Sequence, residues 1–174
     1  RMKTNQVLKD QAALGKTSMG WFYGLKLHLI CNDRGDLLWV SLTAGNIDDR
    51  RALRDCFDQD LFSLFGKLFA DRGYISQSLL TELINQHGVA IHTRLRKNMI
   101  CVLHVLNEDA LFLRKRAIIE SIIDQLKNIS QIEHSRHRSP INFLVNLVCG
   151  LIAYTHQSKK PSLAPNSTTL MLVA

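Results

Sequence analysis

From Trp21 to Cys31 apolar and polar residues alternate, with Leu25, Leu27 and Leu29 on one side of an extended chain and Lys26 and His28 on the other. A period of two predicts a strand with one buried face. Asn32-Asp33-Arg34-Gly35 is turn chemistry, and Leu37 to Leu42 returns as the second strand of a hairpin. His28, a lone histidine on the polar face, reads as solvent-exposed and inert. The polar residues before Trp21, including Gly15-Lys16-Thr17-Ser18, lack the first glycine of a phosphate loop and read as a plain loop.

Beyond the hairpin the period lengthens. Asn46-Ile47-Asp48-Asp49 supplies capping and turn side chains ahead of a helix over Arg50 to Phe57, striped by Leu53, Cys56 and Phe57. Leu64 to Ala70 is a nearly unbroken apolar run that stops at Asp71-Arg72-Gly73-Tyr74. Ser76 then opens a helix bearing Leu79, Leu80, Leu83 and Ile84, which ends near Gly88, and Val89 to Leu95 is β-branched enough for another buried strand. Strand, helix and strand in that order make a parallel β-α-β unit, so the class is mixed α/β.

Two more helices follow. Ile119, Ile122, Ile123 and Leu126 form one stripe, which leaves Arg116, Glu120, Asp124 and Lys127 on the opposite face. Ser139 and Pro140 are N-cap and first-turn residues for a last helix from Ile141 to about Gln157. Its Phe143, Leu144, Leu147, Val148, Leu151 and Ile152 read as core. One domain over residues 1–157 and a loose tail over 158–174 are expected.

Composition narrows the partners. The 174 residues are 46% hydrophobic and carry a formal charge of +7, with cations gathered at Arg94, Arg96 and Lys97, at Arg114, Lys115 and Arg116, and at Arg136 and Arg138. Such clusters favour a polyanion, most simply nucleic acid. The four cysteines are scattered among apolar neighbours and read as buried thiols in a reducing compartment, so a cytoplasmic location is expected. Ile141 to Tyr154, the most apolar run, is too short to span a bilayer.

Two carboxylates stand out chemically. Asp71 sits at the carboxyl tip of a parallel strand, the edge where open α/β sheets bind ligands, and Glu120 lies among cations on a helix. A turn-forming aspartate and a solvated helix laced by Arg116–Glu120 pairing are the plainer readings. If the two converge, hard oxygen donors beside arginine and lysine describe a Mg²⁺ site acting on phosphodiesters, although a third carboxylate is normally needed to bridge two ions. Trp21, Phe22 and Tyr23 read as hairpin packing, with one stacked base as the alternative.

The blocks Gly20-Trp21-Phe22-Tyr23-Gly24-Leu25-Lys26-Leu27-His28, Thr43 to Arg50, Asp71-Arg72-Gly73-Tyr74, Arg114 to Glu120 and His134 to Pro140 occur in an order that resembles DDE-type transposases of bacterial insertion sequences. The resemblance spans roughly residues 14–163. It implies a ribonuclease H-like core, a mixed sheet flanked by helices, with Asp71 as second aspartate and Glu120 as the glutamate of a triad binding Mg²⁺ or Mn²⁺. Arg116, Glu120 and Lys127 fall on the last three positions of the family's Y-x₂-R-x₃-E-x₆-K signature, whose tyrosine position holds Leu113. Contacts to DNA are then expected from Arg114, Lys115, Arg116, Lys127, Arg136 and Arg138.

The same resemblance places the first aspartate on a strand ahead of the hairpin, which the sequence starting at Arg1 lacks. The expectation is an N-terminally truncated catalytic domain, inactive in isolation, whose intact form joins transposon ends to target DNA as a homo-oligomer, with no membrane partner. A nuclease of the same fold and a non-catalytic DNA- or partner-binding remnant are the alternatives.

Overall fold

The computed structural model describes residues 6–17, 20–58, 66–70, 72–74, 76–92, 109–133, 137–162 and 170–173, with backbone alone at 66, 67, 72, 92, 109–116 and 170–173. The described strands are β1 (Ala13–Thr17), β2 (Gly20–Asn32), β3 (Leu37–Ala44), β4 (Gly66–Ala70), β5 (Val89–His92) and β6 (Leu170–Val173). The helices are α1 (Asp49–Asp58), α2 (Gln77–His87), α3 (Asp109–Asn128) and α4 (Pro140–Thr155).

The hairpin and the β-α-β unit form where the sequence patterns put them. β2 and β3 pair antiparallel from Leu25↔Ala44 to Cys31↔Leu37, and β4 and β5 pair parallel from Gly66↔Val89 to Phe69↔His92. α2 begins after Ser76 and ends at Gly88, whose φ of 65° is the left-handed conformation that closes a helix without a Cβ penalty. Ser76 Oγ is turned to Ser78 Oγ at 2.9 Å, so it marks the helix start without capping it. Ser139 does cap α4, accepting from the Asn142 amide at 3.1 Å.

Two segments differ from expectation. Ala13–Thr17, expected as a loop, is strand β1, paired antiparallel with Gly20–Gly24. Gly15 permits this, because a Cβ there would lie 2.2 Å from the Gly45 carbonyl oxygen. Leu170–Val173, in the stretch expected to be loose, is a strand inside the sheet. It pairs antiparallel with β2 (Ile30↔Leu172) and parallel with β4 (Ala70↔Leu172), giving the strand path β1-β2-β6-β4-β5 with β3 on the side of β2. Four consecutive apolar residues, Leu-Met-Leu-Val, suit a strand covered on both faces, a signal that the polar residues just ahead of it mask.

Alternation sends neighbouring residues to opposite faces. Ile30, Leu68 and Ala70 pack with Ala52, Leu53, Cys56 and Phe57 of α1 and with Leu79, Leu80 and Leu83 of α2. Leu29, Cys31 and Phe69 pack with Ile118, Ile119, Ile122 and Leu126 of α3 and with Leu147 and Tyr154 of α4. The result is a sheet between two helical layers. Cys31 and Cys56 are buried as expected, and burial pushes both thiols up to about 12; Cys149 is exposed, and Cys101 lies outside the described residues.

α4 is less of a core helix than its apolar stripe suggests. Leu147, Gly150 and Tyr154 are buried, whereas Leu144, Val148 and Ile152 are exposed, together with Ile141 and Val145. Its far end is tied to the β2–β3 turn, where Tyr154 Oη donates to the Gly35 carbonyl at 2.7 Å and Lys160 Nζ meets Asp36 Oδ1 at 2.7 Å.

An amide in β6 faces a neighbour on one side or the other, so Leu172→Pro removes a ladder hydrogen bond and crowds an adjoining strand. It is expected to destabilise the fold by about 3 kcal/mol or more, read as a lower denaturant midpoint.

Candidate functional site

On the polar face of β2, Lys26 is half-buried and His28 fully buried. Lys26 Nζ donates to the Ile47 carbonyl at 2.9 Å and to Asp49 Oδ1 at 2.8 Å, which fixes the β3–α1 connection against the strand. His28, expected to be exposed and inert, is 0% exposed. Its Nδ1 is 3.2 Å from Tyr74 Oη and its Nε2 is 2.8 Å from Thr43 Oγ1. Burial lowers the His28 pKa, outweighing the Asp49 carboxylate that acts to raise it, so the ring is neutral in the fold.

Tyr74 belongs to a single 3-10 turn, Arg72–Tyr74, immediately after β4. Gly73 in that turn lies against Asp49, since a Cβ at Gly73 would be 3.1 Å from Asp49 Oδ2. Thus Lys26 and His28, Asp48 to Arg50, and the turn following residue 71 occupy one patch although they are far apart in the chain. Asp48 accepts from the Arg50 amide at 2.9 Å and from Arg50 Nε at 2.8 Å, and the guanidinium holds its carboxyl at about 2. An open polar cleft of about 440 Å³ lies here, lined among others by Lys16, Trp21, Asn46, Asp49, Arg50 and Gly73.

A family model described as a transposase DDE domain matches residues 1–140. The chain belongs to the DDE transposase family. Neither the curated proteins nor the solved structures contain a match. A transposition-related role and an interaction with DNA follow from the family, and the polar patch of this transposase domain lies wholly within the matched residues. α4 beyond Pro140 and β6 lie outside them.

Of the residues singled out in the sequence, Glu120 is exposed on α3, on the side away from Ile119 and Ile122, and Lys127 lies two turns further along. Lys127 Nζ pairs with Glu133 at 2.7 Å. Arg138 is exposed just ahead of α4. Arg114, Lys115 and Arg116 are on α3 with only their backbone described, while Asp71 and Arg136 lie outside the described residues. Among the described residues no three His, Cys, Asp or Glu side chains gather closely enough to hold a metal ion. Of the expected Asp71 and Glu120 pair, Glu120 is among the described residues, and its exposed carboxylate is a hard oxygen donor of the kind Mg²⁺ takes. No described helix is long and apolar enough to cross a membrane.

The contacts of Lys26 and His28 were not readable from the sequence. Alternation put both on one face, but Asp49, Thr43 and Tyr74 reach that face only through the fold.

Because the folded His28 pKa is lowered, the unfolded chain takes up the proton first as pH falls through about 6.5. The His28 contribution to stability is full above that value and declines below it. His28→Gln is expected to cost about 1–3 kcal/mol near neutral pH and to flatten the fall in unfolding midpoint on mild acidification; an unchanged pH profile would contradict the assignment.

Proposed function

We propose that this transposase domain serves DNA transposition on a ribonuclease H-like core, hydrolysing the phosphodiester at transposon ends and joining the freed 3′-hydroxyl to a target phosphodiester, whose own 3′-oxygen leaves as the target strand's hydroxyl. In this reading Asp71 and Glu120 would hold Mg²⁺ or Mn²⁺, which would supply Lewis-acid stabilisation of charge at the phosphorus. Arg114, Lys115, Arg116, Lys127, Arg136 and Arg138 bind backbone phosphates. The protein works as a cytoplasmic homo-oligomer on paired DNA ends.

The observation that carries the reading is the convergence, within the family-matched residues, of Lys26, His28, Asp49 and Tyr74 on the turn that follows residue 71. The His28–Tyr74 bond ties the turn beyond residue 71 to β2, the kind of support that a catalytic aspartate there would need.

A second reading, a DNA-binding domain that does not cut, is favoured by β6. This strand runs parallel beside β4, with Leu172 level with Ala70, and Leu170 to Val173 offer no carboxylate to the edge where the two strands end.

Both readings meet in one set of assays on supercoiled DNA. Nicking in Mg²⁺ or Mn²⁺ that is lost in chelator and falls about a hundred-fold or more in Glu120→Gln supports catalysis, and joining of pre-cleaved ends separates a transposase from a nuclease. Salt-sensitive binding that survives chelator without nicking supports the second reading. Nicking unaltered in Glu120→Gln removes that residue from the site.

A further inference from the structure

Trp21 is 67% exposed although it stands on β2 beside the polar cleft. Its partner across the β1–β2 pairing is Lys16, whose Nζ lies 5.4 Å from the indole centroid. An indole so exposed contributes little to the core, and the fold holds it through the β1–β2 pairing rather than by burial. Among the described residues no carboxylate pairs with Lys16. Arg50, held by Asp48, adds a second guanidinium or ammonium group to the same cleft, and Lys26 a third, already bonded to Asp49. The cleft continues to Gly73, in the turn after residue 71.

We propose that this cleft binds an unpaired nucleotide of DNA, with its base stacked on Trp21 and its phosphates beside Lys16 and Arg50. A flat aromatic face flanked by cations is the combination that single-stranded nucleic acid recognises, because every base has a π-face and every linkage a negative charge. The ammonium of Lys16 lies over the indole ring and so limits where a base can stack. The open shape of the cleft suits one flipped or frayed nucleotide better than a continuous duplex, whose bases are already stacked on each other. The site lies next to the turn that follows Asp71, so an unpaired nucleotide held there orients a DNA end toward that turn. This inference rests on the reading of the chain as DNA-binding.

The test uses the full chain with a labelled oligothymidylate and a labelled blunt duplex at equal salt. Trp39 is the other tryptophan of the chain and is buried, so fluorescence lost on adding DNA reports on Trp21, and subtraction of the Trp21→Ala signal isolates it. Expected are quenching by oligothymidylate, a dissociation constant raised roughly ten-fold or more in Trp21→Ala, and recovery of most of that loss in Trp21→Phe. The unfolding midpoint of Trp21→Ala should match the parent. Binding of oligothymidylate without quenching, or with equal affinity in Trp21→Ala, overturns the proposal and leaves the DNA reading standing. Equal weakening for duplex and oligothymidylate assigns Trp21 to general contact and overturns the unpaired nucleotide. No anisotropy change with either DNA ends both.

Discussion

Backbone pairing by β6 makes one sheet out of two. β2 with β1 and β3 forms one group of strands, β4 with β5 another, and among the described residues no pairing joins them except through Leu170–Val173. Each group would otherwise leave a row of amide and carbonyl groups unpaired beneath helices, where water is scarce. The layers above and below follow from this closure, because Ile30 and Leu68 share one apolar cluster and Leu29 and Phe69 the other only when β2 and β4 stand on either side of β6.

The same closure brings polar groups together. With β2 and β4 held in one sheet, the His28 ring reaches the hydroxyl of Tyr74 and ties the turn after β4 to β2, while Lys26 ties the β3–α1 connection to the same strand through Asp49. Such contacts are costly to break because they are buried or half-buried, and a donor left without its acceptor there loses water as well as its partner. The cations are distributed differently: Lys127 and Arg138 remain on the surface with solvent around them, suited to phosphate contacts that salt weakens.

α4 shows the limit of reading burial from apolarity. Its stripe is wide enough for a core helix, yet one side faces Leu147 and Tyr154 inward and the other leaves Leu144, Val148 and Ile152 to solvent. The helix is anchored by its end, through Tyr154 to the Gly35 carbonyl, more than by full burial of its length.

Local sequence determined the β2–β3 hairpin, the β4-α2-β5 unit and the starts of α2 and α4, since period, turn residues and caps act over a few positions of the chain. It also brought forward Glu120 as an exposed carboxylate on the polar face of α3 and placed Lys26 and His28 together. Only the tertiary structure decided that His28 is buried, that Ala13–Thr17 pairs as a strand and that Leu170–Val173 lies at the centre of the sheet. Each of these depends on a partner distant in the chain: Tyr74 for His28, Gly45 packed against Gly15, and the facing edges of β2 and β4 for β6. Pairing at such separations is chosen by which edges and polar groups remain unsatisfied after the local elements form, and no short window of sequence contains that information.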